Sequence, residues 1–174
     1  MESLILVDRN DRQVGIGEKL QTHREGRLHR AFSIFVFDSA GRLLLQQRAP
    51  FKYHSASLWS NTCCGHPRPG ESTEAAARRR LQEEMSITCD LRKVSAFVYR
   101  KRLTPHLTEH EYDHVLVGRF DGSPLPAALE VAAWRWVEVG DLRRELRDHP
   151  GRYTCWLKPA LDRVPLPKLR PPDS

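Results

Sequence analysis

The sequence predicts an α/β (α+β) domain, and three observations carry that prediction. Residues 71–85 write an amphipathic helix free of proline and glycine, strand-like apolar runs stand before and after it, and glycine and proline turns punctuate the chain between them. With 174 residues the chain is long enough for one domain with a two- or three-layer core. No internal repeat or second domain is visible.

Taken in order, the apolar stretches 4–7 and 14–17 flank the turn-forming residues 8–12, so the chain opens on a hairpin. His23 and His29 follow, on either side of a glycine turn at Gly26. Residues 31–37 are almost continuously apolar, as a central strand buried on both faces requires. Residues 38–41 turn the chain and 42–48 pair back as a second strand. A loop over 49–54 adds cations, and Trp59-Ser60-Asn61 delivers the chain into the loop Asn61-Thr62-Cys63-Cys64-Gly65-His66-Pro67.

The helix then begins, with Ser72 or Thr73 available as N-cap and Glu74 near the positive end of its dipole. Ala77, Leu81 and Met85, at i, i+4 and i+8, form one apolar stripe. Arg80 and Glu84 share another face, and taken alone they are a solvated ion pair.

Residues 91–103 are strand-like, with Ala96, Val98 and Arg100 on one face and Phe97, Tyr99 and Lys101 on the other. Residues 104–106 break the run, and 109–120 form its antiparallel partner. A competing reading exists here, because His106, His110 and His114 stand four apart and would line one face of a helix as a metal site. Pro105 and the valine run weigh against it; as a strand, the segment turns Glu109 and Glu111 to one side together. Residues 121–128 are a loop with two prolines, and 133–139 alternate as an edge or near-edge strand. Gly140-Asp141 caps a short helix through Leu142 and Leu146. Residues 153–164 are a second helical patch, holding Trp156 and interrupted by Pro159, and 165–174 are a proline-rich tail.

The formal charge of +6 is spread along the chain without the aromatic-basic interleaving of a single-strand groove, so nucleic acid is not the expected partner. A small polyanionic substrate, or plain surface solubility, accounts for it. Cys63, Cys64, Cys89 and Cys155 form no CxxC pair and read as reduced thiols. No apolar run is long enough for a membrane span and no secretory layout opens the chain, so a cytoplasmic protein, monomeric or weakly dimeric, is expected.

Gly65, five residues, Glu71, seven residues, Arg79, then Leu81, Glu83, Glu84 and Ile87 follow the spacing of the Nudix box. The segment resembles that family, which implies a Nudix-type fold of mixed β-sheets sandwiched by helices, with a loop–helix–loop that holds Mg²⁺ against a diphosphate. Two positions depart from the pattern: Arg80 replaces a glutamate and Ser86 a glycine. Exchanging a metal-ligating carboxylate for a guanidinium disfavours multi-metal hydrolysis and favours holding a diphosphate intact. With the turn Cys64-Gly65-His66-Pro67, the chain is similar to the type I isopentenyl-diphosphate isomerases over nearly its whole length, to about Leu161.

That resemblance implies a site. His23, His29, His66, Glu109 and Glu111 match five ligands of one divalent metal, a mixed nitrogen and oxygen set that suits Mn²⁺, Mg²⁺ or Zn²⁺. The loop between His23 and His29 is one residue shorter than the family's. Cys64 and Glu111 match the acid–base pair, Tyr99 and Trp156 the aromatic pair facing a carbocation, and Lys19, Arg48, Lys52 and Arg80 the diphosphate-binding cations. Glu84, with the Cys64 carbonyl, matches the position of a Mg²⁺ that bridges to phosphate oxygens. The implied organisation is an N-terminal hairpin and metal-binding turn over 1–28, a Nudix domain over 29–161 and a tail over 162–174. A Nudix pyrophosphohydrolase acting on a nucleoside diphosphate derivative is the alternative, and a catalytically silent RNA-binding module a distant third.

Overall fold

The computed structural model describes residues 2–166. Its centre is β3 (His29–Phe37), buried along nearly its whole length. One edge of β3 is covered from His29 to Phe37 by β8 (Leu107–Arg119), running parallel. The other edge is shared by β1 (Ser3–Val7), by the short β6 (Cys63–Gly65) and by β4 (Leu43–Arg48), all antiparallel. β2 (Gln13–Glu18) pairs outside β1, β5 (Trp59–Ser60) and β9 (Val131–Val137) both pair with β4, and β7 (Leu91–Thr104) forms a long hairpin with β8.

Alternation along the apolar runs explains why they are apolar throughout. Phe32, Ile34, Val36 and Leu44 point into one core with α2 (Thr73–Met85), whereas Phe35, Phe37, Leu43 and Leu45 point into another with α3 (Val139–Asp148) and α4 (Leu157–Leu161). The sheet is therefore sandwiched, as the Nudix-type reading expects. The predicted stripe Ala77, Leu81 and Met85 is buried to 1% exposure or less, so truncating Leu81 to alanine would cost about 2–5 kcal/mol.

Ser72 caps α2 by accepting from the Ala75 amide at 3.2 Å. At the other end Ser86 takes a left-handed conformation, φ 54°, where the Nudix pattern has glycine. Its hydroxyl donates to the Leu125 carbonyl at 2.8 Å, which offsets part of a strain of about 1–2 kcal/mol.

Several expectations are corrected. Residues after Glu18, left unassigned in the sequence, form a seven-residue helix, α1 (Lys19–Glu25), because the Glu18 carboxylate accepts from the Leu20 and Gln21 amides and Gly26 closes the far end. The second strand pairs back on β3 only at Phe37↔Leu43, and its main partner is β9. The reactive loop is partly strand, since Cys64 sits in β6. The helical histidine site is excluded: His110 and His114 lie on β8 and His106 is in the exposed turn before it. α3 starts at Val139, with Glu138 rather than Gly140-Asp141 at its cap. Pro159 does not interrupt α4; it is the third residue, where no intrahelical N–H is required. Val164, in the segment read as tail, packs into the second core, and positions 167–174 lie outside the described residues.

Candidate active site

The strand period sets the site. Glu109, Glu111 and Asp113 alternate on one face of β8 and are all buried. His29 stands in register with Glu111 because β3 and β8 run parallel, His23 arrives on α1 and His66 follows β6. The His29 Nε2 lies 3.6 Å and the His66 Nε2 3.0 Å from Glu111 Oε1, and the His23 Nε2 lies 3.3 Å from Glu109 Oε2.

The arrangement fits a cation. His23 Nδ1 lies 2.7 Å from the Lys19 carbonyl and His29 Nδ1 2.9 Å from the Arg27 carbonyl, so each Nδ1 carries the proton and each Nε2 lone pair faces inward. There they meet carboxylate oxygens, acceptor against acceptor. His23 Nε2, His29 Nε2 and Glu109 Oε2 are buried without a hydrogen-bond partner. Ligand atoms of His23, His29, His66 and Glu111 lie within 4.8 Å of one another, a possible metal-binding group. Burial pushes His66 down to about 4, leaving a neutral imidazole. Burial acts to raise Glu111, the adjoining His29 and His66 rings act to lower it, and the carboxyl stands well below its ordinary value.

Cys64 is brought to the same cavity by β6, whose pairing with β3 places it opposite Ser33. Its sulfur lies 3.1 Å from Asn61 Oδ1, and Asn61 is fixed by amide contacts to the Ile34 and Cys63 carbonyls. Burial and the nearby Asp113 push the thiol up to about 12. Gly65 is required beside it, because a Cβ there would come within 2.8 Å of the Phe32 ring and 3.3 Å of Arg80 Cγ. The Tyr99 hydroxyl donates to Glu111 Oε2 at 2.6 Å, and the Trp156 indole donates to Ser60 Oγ at 3.1 Å.

A cavity of about 570 Å³ joins these groups to a cationic mouth. Lys19, Arg48, Lys52 and Arg80 all line it, as do Cys64, His66, Glu84, Tyr99, Glu109, Glu111 and Trp156. His23 and His29 stand fully buried outside its lining. At the mouth, Lys19 is paired with Glu2 at 2.8 Å, Lys52 with Glu130, and Arg80 with Glu83, Glu84 and Glu130. Glu84, 5% exposed, also accepts from Gln46 at 2.9 Å. Arg48 packs its guanidinium 5.4 Å from the centre of the Trp156 ring.

Every residue read from the sequence as part of the site is thus within or directly behind this one cavity. Reasoning from sequence missed Asp113, Glu130, Glu2 and His54. Asp113 was detectable, since it continues the Glu-x-Glu alternation by two; the other three carry no local signal.

Comparison with known proteins gives a consistent picture. The NUDIX domain family model matches residues 27–157. The Isopentenyl-diphosphate Delta-isomerase of Burkholderia multivorans is 60% identical over 168 residues, 97% of this chain and 96% of its own. Isopentenyl-diphosphate Delta-isomerase 1 of Aromatoleum aromaticum is 56% identical over 163 residues, 94% of this chain and 92% of its own. Among solved structures, DR0079 from Deinococcus radiodurans superposes with a TM-score of 0.78 over 94% of this chain and 99% of its own, at 21% identity. A MutT NUDIX hydrolase from Burkholderia pseudomallei gives 0.62 over 79% and 98%, at 20% identity. These two likenesses speak for the fold alone.

Proposed function

The chain belongs to the NUDIX domain family and, within it, to the isopentenyl-diphosphate Delta-isomerases, and from that premise we propose how its cleft performs the isomerisation. The reaction is the reversible conversion of isopentenyl diphosphate to dimethylallyl diphosphate. It adds a proton to the terminal alkene carbon and removes one from the allylic methylene, so that atoms balance and nothing is released.

Two proton-transfer groups must therefore face one slot. The observation that carries the reading is that Cys64, on β6, and Glu111, on β8, line the same cavity although 47 positions separate them in the chain. Glu111 protonates the alkene and Cys64 takes the allylic proton, with the roles exchanged in the back reaction. Forward turnover leaves Glu111 ionised and the Cys64 thiol protonated, which is the state from which the reverse reaction starts. One proton passing between the pair serves both directions.

Tyr99 and Trp156 offer aromatic faces to the tertiary cation formed between the two transfers, worth about 0.5–2 kcal/mol each when desolvated. Burial of Trp156, 4% exposed, keeps water from that face. Lys19, Arg48, Lys52 and Arg80 grip the diphosphate. Glu84 would hold a Mg²⁺ accompanying it. His23, His29, His66, Glu109 and Glu111 would hold Mn²⁺, Mg²⁺ or Zn²⁺, which supplies a fixed positive charge that orients the Glu111 carboxyl.

The hydrolase alternative lacks its carboxylates. Arg80 occupies one position on α2, and Glu83 is bound to Arg79 at 3.3 Å and to Arg80 at 2.8 Å. No helix among the described residues is long and apolar enough to cross a membrane, and we assign the enzyme to the cytoplasm as a monomer or weak homodimer acting on a small diphosphate. Incubation with isopentenyl diphosphate in heavy water tests the reading. Deuterium should enter the hydrocarbon without phosphate release, and Cys64→Ala should abolish entry; phosphate release from a nucleoside diphosphate derivative by the Cys64→Ala variant would sink it.

A further inference from the structure

The segment between β4 and β5 carries the exposed Phe51 and Tyr53, yet the histidine beside them is turned inward. His54 is 8% exposed in its side chain. Its ring packs edge-on against Tyr53, centroids 4.4 Å apart, and against Trp156 at 6.0 Å, and it lies 6.0 Å from the His23 ring. Its Nε2 stands 3.2 Å from Glu109 Oε1, while the other oxygen of Glu109 is the one facing His23.

A carboxylate that binds a cation through one oxygen needs a donor on the other, or it swings. Glu111 has one, the Tyr99 hydroxyl on Oε2. His54 is placed to do the same for Glu109. Ser55 Oγ lies 3.3 Å from His54 Nδ1 and can donate to it, which leaves the ring proton on Nε2, the nitrogen 3.2 Å from Glu109 Oε1. The competing role is direct ligation, since ligand atoms of His23, His54 and Glu109 also fall within 4.8 Å of one another. The surroundings argue against it. His23 Nε2 and His29 Nε2 are buried without a hydrogen-bond partner, and among the described residues His54 Nε2 is not one of these orphaned atoms.

We propose that His54 is a positioning residue for the metal group: its N–H holds Glu109 Oε1 so that Oε2 stays turned toward the cation. This rests on reading the His/Glu group as a metal site. It also ties that site to the segment carrying Lys52, so that a cation-binding carboxylate and a diphosphate-binding lysine are braced by the same stretch of chain.

The test is calorimetric titration of Mn²⁺ and of Zn²⁺ into metal-stripped full-length protein without substrate. His54→Phe keeps the ring packing on Tyr53 and Trp156 but has no donor, and should weaken binding about 10- to 100-fold with the number of sites unchanged. His54→Ala, which cannot overfill the space, should do the same. His54→Gln restores an N–H at similar reach and should bind close to wild type. A packing role predicts the opposite order, with Phe tolerated and Gln not. Equal affinity in wild type, Phe and Ala variants would overturn the proposal, as would a Co²⁺ absorption spectrum altered in band position by all three substitutions, which would make His54 a ligand. Wild-type protein that binds no divalent ion would remove the metal reading itself, an outcome distinct from either.

Discussion

Ser33 on β3 stands opposite Cys64 on β6, and its hydroxyl lies 3.6 Å from the Cys64 sulfur while donating to Asp113 at 2.8 Å. Oxygen atoms of Ser33 and Asn61 thus lie against the thiol, with Asp113 behind them. Burial and Asp113 move its titration from 9 to about 12. At neutral pH its thiolate population is about a thousandth of an ordinary cysteine's. Iodoacetamide should therefore modify Cys64 slowly in metal-stripped protein, at a rate still climbing with pH beyond the range where free thiols level off. Peptide-resolved mass spectrometry measures it, and levelling near the ordinary thiol range would contradict the enclosure.

That relationship could not be read in the sequence, because it depends on pairing between strands separated by a turn, a second strand and a loop. What is local was legible. The α2 stripe and its cap follow from a 3.6 period and from Ser72, and the shared face of Glu109 and Glu111 from a period of two. The parallel pairing His29↔Glu111 spans 82 positions and leaves no periodic trace. α1 leaves no periodic signal, because a seven-residue helix held by a Glu18 cap and by Gly26 has no apolar stripe to announce it. The gathering of these histidines and glutamates rests on family resemblance rather than on spacing, and His54 is marked by neither.

Glu71 locks the loop before α2 to the helix. Arg79 donates to both its oxygens, at 2.8 and 2.9 Å, and the Arg68 amide donates at 2.9 Å. The Arg79 hydrogen bond and then the Arg68 amide bring the carboxyl from 4.5 down to about 2. A carboxyl lowered in the folded state stabilises it fully above its unfolded value and loses that contribution as pH falls through the folded one. Solvent screening leaves about 1–2 kcal/mol. Glu71→Gln should show that deficit in urea unfolding at neutral pH, and the deficit should shrink as pH falls from 4.5 toward 2. A deficit independent of pH would assign the loss to packing instead.

Arg80 has two duties that a double substitution separates. Its guanidinium neutralises Glu84, buried at 5% exposure, and it faces the cavity mouth. Arg80→Gln should cost about 1–3 kcal/mol of stability, with Gln46 still donating to Glu84 at 2.9 Å, and should raise KM about 10- to 100-fold. Adding Glu84→Gln removes the stranded charge together with the carboxylate proposed to hold Mg²⁺, so stability should recover while KM rises further. Recovery of both would mean that the diphosphate is held without Arg80.

Three buried atoms lack hydrogen-bond partners, His23 Nε2, His29 Nε2 and Glu109 Oε2, and a cation that satisfied them should stabilise the fold. A cation that binds only the folded chain adds about 2.7 kcal/mol at a hundred times its dissociation constant. For a chain of this size that corresponds to a rise in Tm of roughly 5–10 °C. Glu109→Gln removes a charge but leaves a side chain of the same shape, and should abolish most of the rise without lowering the Tm of the stripped form. Burial and the neighbouring Glu111 already hold the Glu109 carboxyl above its ordinary value, so neutralising it relieves repulsion rather than breaking a favourable pair. Scanning calorimetry with and without added Mn²⁺ or Zn²⁺ gives both numbers. If the stripped wild type and the saturated wild type melt together, the inward-facing histidines are held by something other than an ion.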